Sequence, residues 1–260
     1  MIAIASNLAA LKKRVLRFFE SPKRLEVKNF IRILSESGEV LVFGGLLRDI
    51  ALYGGGVFNS DIDLVVDCSS EVLFDFFQKR NALSGRNHFG GYRVKVGGWS
   101  IDVWPIRETW AFASGNVEFI DRESLLSTTI TNWDSVAFSF KDNSLISDPS
   151  YMDSLKRREL DIILVENPNR LGAFLRVLKL IFDKQVEVLL PKALIYLKEG
   201  FSEFSSTNLF SSQVKAFNKV YFSEQELDYF KLEIFSLDPS LFGRSIALKG
   251  TTFNIAFEDR

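Results

Sequence analysis

Residues 40–67, VLVFGGLLRDIALYGGGVFNSDIDLVVD, constrain this chain more than any other segment does. The pattern predicts a strand, a double glycine, a short helix, a glycine-rich loop and a second strand. Asp61 and Asp63 stand at the start of that second strand. Residues two apart on a strand point to the same face, with their Cα atoms roughly 7 Å apart. Two carboxylates so placed can share divalent cations, and Mg²⁺ is the usual choice when substrate phosphates complete the shell.

Composition excludes several other kinds of site. The chain has 260 residues, 47% of them apolar, which predicts two domains, with one large domain as the alternative. Its net charge of −1 shows no overall excess of basic residues for binding nucleic acid. Cys68 is the only cysteine, which excludes an intrachain disulfide and a cysteine-based metal site. His88 is the only histidine, which excludes chemistry built on several imidazoles.

The N-terminal segment and the hydropathy predict a soluble, cytoplasmic protein. The first basic residues follow the first apolar ones, the reverse of a secretory signal. No apolar run approaches the ~18 residues that a membrane span needs, so no membrane partner is expected.

The spacing of apolar residues predicts a mixed architecture. Two helices are expected within residues 7–37, another helix over 69–81, and a hairpin of strands at 92–96 and 99–104 around Gly97-Gly98. Residues 125–140 predict a short helix with a strand or hairpin. From about residue 169 onward the pattern is helical. We therefore expect an α+β domain over residues 1–168 and an all-helical domain over 169–260.

The double glycine and the Arg-Asp pair are candidate phosphate ligands. Gly44 and Gly45 would let the backbone approach a ligand closely, with a helix N-terminus behind them; the alternative is an ordinary turn. Arg48 would face a triphosphate with Asp49 as its anchor, or both lie on a solvated helix face. The two carboxylates of Asp61 and Asp63 repel each other, which costs free energy unless a cation compensates their charge. The alternative is that both carboxylates are simply solvated.

These motifs together resemble a known family. GGLLRD, followed about ten residues later by DIDLVV, resembles the head-domain signature of class II nucleotidyltransferases, the poly(A) polymerase and CCA-adding tRNA nucleotidyltransferase family of the polymerase beta superfamily. The match covers about residues 40–68, and a weaker similarity continues to about residue 180. The resemblance implies a polymerase-beta-like head, in which a small mixed or antiparallel sheet is flanked by helices.

The resemblance also implies a mechanism and a set of roles. Asp61 and Asp63 would hold Mg²⁺ in a two-metal site while an acceptor hydroxyl attacks the α-phosphate of an NTP and pyrophosphate leaves. Gly44, Gly45 and Arg48 would bind the triphosphate.

The hairpin offers a third carboxylate and a further cation. Ser100, Asp102 and Trp104 share one strand face, and the superfamily often supplies a third acid from a neighbouring strand, as metal ligand or as general base. The alternative is an exposed acid on an ordinary hairpin. Arg107 stands where the family often has a nucleotide-binding Arg; the alternative is an ion pair with Glu108 or Asp102.

Downstream, the sequence departs from the family pattern. Leu126-Ser127-Thr128 replaces the family's Arg-Arg-Asp, whereas Asn132 remains. Residues 166–170, ENPNR, are similar to the base-reading EDxxR helix start, with Asn in place of Asp. The expected nucleotide-binding residues of this region are Asn132, Glu166, Asn167, Arg170 and Arg176. Losing two arginines removes charge that would grip phosphates, and an amide reads a different base edge from a carboxylate.

The leading hypothesis is therefore Mg²⁺-dependent transfer of an NMP from an NTP to a hydroxyl, most simply a tRNA-like RNA 3′ end. Two alternatives stay open: transfer to a small-molecule or protein hydroxyl, and nucleotide binding without catalysis. The sequence leaves the oligomeric state open.

Overall fold

The computed structural model describes residues 3–80, 85–86, 90–237, 243–249 and 254–257. His88, and Asn81 at the end of the helix predicted over 69–81, lie outside the described residues. The chain divides into two compact units, Met1–Thr129 with Trp133–Met152, and Ile130–Asn132 with Asp153–Arg260. This division falls ahead of the domain boundary at residue 168 expected from the sequence, which stays a prediction.

The first unit contains helices and a mixed sheet. The helices are α1 (Leu8–Glu20), α2 (Leu25–Leu34), α3 (Gly45–Tyr53), α4 (Ser70–Arg80) and α5 (Trp110–Ala113), with 3₁₀ turns at Pro22–Arg24, Ile106–Glu108 and Arg122–Thr128. Asn7 caps α1 by accepting a hydrogen bond from the Ala10 N–H at 2.9 Å, and Leu11, Val15 and Phe18 bury one face of that helix. The predicted helices at the N-terminus are confirmed.

The sheet of the first unit has seven strands. Its strands are β1 (Val40–Phe43), β2 (Ile62–Val66), β3 (Gly85–Arg86), β4 (Tyr92–Val96), β5 (Trp99–Pro105), β6 (Val136–Ser139) and β7 (Ser144–Ser147). They lie in the order β3-β4-β5-β2-β1-β6-β7. β2 and β5 run parallel, and the other neighbouring pairs run antiparallel. The predicted α+β class with a mixed sheet is confirmed.

The two faces of β2 have different environments. Ile62, Leu64 and Val66 are fully buried on one face. On the other face Val65 joins an apolar cluster with Leu41, Ile106, Leu125, Ala137 and Ile146. Asp61 and Asp63 precede Val65 on this second face, because side chains alternate along a strand. The beginning of β2 is thus the polar end of an otherwise apolar surface.

The second unit contains four long helices and a small sheet. The helices are α7 (Arg170–Asp183), α8 (Pro191–Glu203), α9 (Ser206–Phe217) and α10 (Glu224–Ser236); α6 (Tyr151–Lys156) spans the division between the units. The strands β8 (Glu159–Leu160), β9 (Val188–Leu189), β10 (Ile246–Lys249) and β11 (Asn254–Phe257) pair in the order β11-β10-β9-β8. The expectation of an all-helical region is corrected by this sheet. Strands of two residues are too short to show an alternating pattern.

Among the residues described, no helix is both long enough and apolar enough to cross a bilayer.

Candidate active site

The double glycine forms the turn from β1 into α3. Gly44 has φ 75° and ψ −135°, a conformation that is nearly exclusive to glycine. Its N–H donates to the Val136 carbonyl at 3.0 Å, and its carbonyl accepts from the N–H groups of Leu47 and Arg48. The turn is thereby fixed to the start of β6, and α3 begins directly at the end of the sheet where β2 starts.

Arg48 lies under this turn in a partly buried ion-pair network. Its Nε is 2.9 Å from Asp49 Oδ1 and its Nη1 is 2.6 Å from Asp134 Oδ1. Burial alone lowers the pKa of the guanidinium, but the charges of Asp134 and Asp49 outweigh it and raise the pKa above its ordinary value. The structure therefore places Arg48 in contact with both Asp49 and Asp134. Sequence reasoning missed Asp134 because it lies in an irregular segment.

Tyr151 closes the same network from α6. Its side chain is buried, and its hydroxyl donates to the Trp133 carbonyl at 3.2 Å. Burial first, and the nearby charge of Asp134 second, raise the pKa of this phenol well above its usual range. The support of the glycine turn thus extends from α3 through residues 133–134 to α6.

Two acidic residues and an arginine form a row across three strands. In the parallel pair β2·β5, Asp63 stands opposite Asp102, and in the antiparallel pair β4·β5, Arg93 stands opposite Asp102. Directly opposed side chains in a sheet point to the same face, so Arg93, Asp102 and Asp63 are consecutive on one surface. Asp61 lies one step along β2 on the same surface.

Arg93 binds Asp102, the buried member of this row, through two nitrogens of its guanidinium. Its Nε donates to Asp102 Oδ1 at 2.8 Å and its Nη2 to Asp102 Oδ2 at 2.6 Å. The same Nη2 is 3.5 Å from Asp61 Oδ2. The hydrogen bond to Asp102, then its charge, and more weakly the charges of Asp61 and Asp63 raise the pKa of Arg93. Asp102 itself is 7% exposed.

This arrangement bears on the predicted three-carboxylate metal site. Among the described residues, no three His, Cys, Asp or Glu side chains are grouped so as to hold a metal ion. Both oxygens of Asp102 are taken by Arg93. Asp61 and Asp63 do fit Mg²⁺, which is commonly bound by one or two carboxylates, with waters and substrate phosphates filling its other positions.

Arg93 itself was not predicted from the sequence. The alternation of Tyr92, Val94 and Val96 with Arg93 and Lys95 indicates a half-buried strand, and a charged residue at an exposed position of such a strand is ordinary. The available signal was the pairing of the two hairpin strands around Gly97-Gly98, which sets Arg93 opposite Asp102.

Arg107 lies at the far end of β5 from the acidic row. Its Nε is 3.7 Å from Asp67 Oδ1, and its guanidinium carbon lies 4.0 Å from the centroid of the Phe119 ring. The alternative to nucleotide binding was an ion pair with Glu108 or Asp102, whereas the described ion pair of Arg107 is with Asp67. Glu108 accepts a hydrogen bond from the Ser70 N–H at 2.9 Å instead.

Asn132 belongs to the second unit and is tied to the segment after β8. Its Nδ2 donates to the Glu159 carbonyl at 3.0 Å, and its Oδ1 accepts from the Asp161 N–H at 2.9 Å. Its own N–H donates to the Asp161 carbonyl at 3.1 Å. Both polar atoms of this amide therefore bind backbone.

The remaining predicted residues surround the start of α7. The N-cap of α7 is Asn169, whose Oδ1 accepts from the Gly172 N–H at 2.9 Å. Asn167 Oδ1 accepts from the Asn169 N–H, and Arg170 pairs with Glu203 at 2.7 Å. Glu166 and Arg176 are exposed. A helix start in this stretch is what the sequence predicted.

Comparison with solved structures identifies the fold. A CCA-adding enzyme with ATP matches at 17% identity and a TM-score of 0.56, over 93% of this chain and 60% of that one. A tRNA nucleotidyltransferase with a primer tRNA and an incoming ATP analog matches at 19% and 0.53, over 76% and 58%. The Bacillus stearothermophilus CCA-adding enzyme with CTP matches at 18% and 0.54, over 75% and 49%. This chain has the fold of the CCA-adding nucleotidyltransferases.

The nucleotidyltransferase fold predicted from residues 40–67 is thereby confirmed, in a divergent sequence. No protein-family model matches the chain, and no curated protein sequence matches it. The chain spans between about half and three fifths of the length of the three structures compared above.

Proposed function

We propose that this protein transfers an NMP from an NTP to a hydroxyl acceptor of the RNA 3′-end type, with release of pyrophosphate. One observation carries the proposal: Asp61 and Asp63 share a sheet surface at the start of β2, beside the end of β1 where the Gly44 turn begins. The fold supports it, since solved structures with this fold include enzymes described with CTP, with ATP and with a primer tRNA.

The chemistry follows from what these groups can do. Bound by Asp61 and Asp63, Mg²⁺ would neutralise phosphate charge and make the acceptor hydroxyl a better nucleophile. The chain itself supplies the N-terminus of α3, an end of a helix that favours anions such as phosphates. Gly44 keeps this end of the helix clear of side chains, and even a Cβ at this position would meet no atom within 4 Å.

The other predicted residues divide into support and recognition. We propose that Arg48, Asp49 and Asp134 hold the glycine turn, since their charged groups are paired with one another beneath it. A nucleotide contact by Arg107 rests on the family resemblance alone, because the ion pair with Asp67 puts Arg107 at the end of β2 opposite Asp61. Base recognition by Glu166, Asn167, Arg170 and Arg176 rests on the similarity of residues 166–170 to the family's base-reading motif.

Transfer assays with each labelled NTP and with tRNA lacking its 3′ end test the proposal. Asp61→Asn and Asp63→Asn should each reduce transfer about a thousandfold or more, because each removes a carboxylate charge from the proposed cation site. Asp75→Asn is a matched control, an exposed aspartate on α4. Transfer that survives both substitutions in β2 contradicts the proposal.

One observation favours a second class of acceptor. Leu126-Ser127-Thr128 ends a 3₁₀ turn, in which the Thr128 hydroxyl donates to the Leu125 carbonyl and the Leu126 carbonyl accepts from Ser135. These three residues supply none of the cations expected at their positions for gripping RNA or triphosphate, and the turn's own cation, Arg122, pairs with Glu39 and Asp142. Mass spectrometry of small-molecule and protein acceptors after incubation with NTP distinguishes the two classes. NTP binding without pyrophosphate release under every acceptor would instead indicate a binding protein.

A further inference from the structure

We infer that Arg93 is a positioning residue that sets the divalent-cation affinity of the Asp61–Asp63 pair. Its guanidinium is a positive charge beside these acids. By binding Asp102, it also prevents Asp102 from acting as a metal ligand. The inference rests on the proposed function, because it concerns the cation that the proposed reaction needs.

The geometry of the Arg93–Asp102 pair is the first support. Two hydrogen bonds of 2.8 and 2.6 Å join the guanidinium fork to both carboxylate oxygens. Such bidentate pairs are the strongest and most directional ion pairs in proteins. Asp102 is buried, so leaving it without this partner is costly, and a cation would have to replace two good hydrogen bonds to recruit it. Asp102 therefore stays with Arg93.

The second support is the position of the guanidinium relative to the other two acids. Arg93 Nη2 approaches Asp61 Oδ2 to 3.5 Å, and Asp63 lies in the same cross-strand row. The charges of both acids act on Arg93. Arg93 therefore brings a fixed positive charge close to Asp61 and Asp63, the two carboxylates proposed to hold the divalent cation.

Repulsion between the cation and Arg93 then limits how tightly the free ion binds. The guanidinium is partly solvated, with its side chain 50% exposed, so screening reduces the repulsion without removing it. A weakly held free ion suits a site in which the ion arrives together with triphosphate, whose negative charges outweigh Arg93. The affinity for the free ion is therefore the property that Arg93 controls.

Titration of Mn²⁺ into the full-length protein without nucleotide, followed by the electron paramagnetic resonance signal of the free ion, measures this property directly. Arg93→Gln and Arg93→Ala should each bind Mn²⁺ about tenfold more tightly than the unmodified protein. Arg93→Lys should stay within about threefold of it, because the charge is kept. Lys141→Ala is the matched control: it removes an exposed cation that follows β6, at the end of the sheet away from Asp61 and Asp63, and should change the affinity less than twofold.

Specificity is checked by combining substitutions. Adding Asp61→Asn to Arg93→Gln should abolish the gain in affinity. Arg93→Gln keeps an amide that can donate to Asp102, so this variant stays informative if Arg93→Ala fails to fold. Unchanged or weaker Mn²⁺ binding in Arg93→Gln overturns the inference, as does an equal gain in Lys141→Ala or no binding by any variant. An absence of NMP transfer with the predicted affinity series intact would contradict the proposed function alone.

Discussion

Arg48 and Asp134 are joined by a 2.6 Å ion pair although 86 positions separate them in the sequence. The pair ties α3 to the segment that leads into β6, so the turn between β1 and α3 is held from two sides. Their side chains are 13% and 23% exposed, so solvent screens this pair much less than it screens a surface pair. The residues that shape the proposed phosphate turn are therefore also part of the structural framework.

Arg48→Met should lower the free energy of unfolding by about 2–4 kcal/mol, because it leaves two partly buried carboxylates without their cation. Asp134→Asn should lower the free energy of unfolding by less than Arg48→Met does, because the amide oxygen still accepts a hydrogen bond from the guanidinium. Urea denaturation of both single variants and of the double variant measures the coupling between the two residues. Additive effects in this cycle would contradict a direct interaction.

Gly44→Ala should destabilise the protein by about 1–3 kcal/mol, because alanine is strained at a φ of 75° combined with a ψ of −135°. The cause is purely conformational, since a Cβ at this position meets no atom within 4 Å. Gly56→Ala is the control: its Cβ also meets nothing, and its φ lies outside the left-handed region. In thermal melts, Gly44→Ala should therefore have a lower melting temperature than Gly56→Ala. Equal melting temperatures would show that the turn tolerates a side chain.

The sequence predicts the part of the site that depends on local pattern. Residues two apart on a strand and a double glycine after a strand are local features, and the structure places Asp61, Asp63 and Gly44 accordingly. Contacts between distant segments are not encoded in this way. Asp134 gives no periodic signal, and Arg93 looks like any charged residue of a half-buried strand until its opposite residue is known. The two-residue strands β8 and β9 were missed for the same reason, because partners distant in sequence define them.

Cys68 provides a pH-dependent test of the head. Burial first, and the charges of Asp67 and Glu108 second, raise the pKa of this thiol to about 11. Because the thiolate is the reactive form, the rate of reaction with Ellman's reagent should rise with pH up to about 11. At pH 8 the rate should be about tenfold below that of the unfolded chain, since the smaller thiolate fraction outweighs the higher nucleophilicity of each thiolate.

The single cysteine makes the signal in this assay unambiguous. Glu108→Gln removes one of the two charges and should shift the rate profile towards lower pH, whereas Glu118→Gln on another segment should not. The raised pKa of Cys68 also makes the stability of the folded protein depend on pH. A raised pKa in the folded state contributes stability below the unfolded pKa near 9, and this contribution is lost as the pH rises towards 11. A half-maximal rate near pH 9 in the folded protein would contradict the assignment.

Asn132 and Asn167 are matched amides, since the family resemblance assigns nucleotide binding to both. Asn132 binds the Glu159 carbonyl and the Asp161 N–H, whereas Asn167 accepts the N–H of Asn169. Asn132→Ala should therefore lower the free energy of unfolding by about 1–3 kcal/mol, because two backbone groups lose their partners. Asn167→Ala should cost about 1 kcal/mol or less. If Asn132 acts by support and Asn167 by base recognition, steady-state kinetics should show a raised KM for NTP in Asn167→Ala alone. A raised KM in Asn132→Ala with unchanged stability would instead place that amide in contact with the nucleotide.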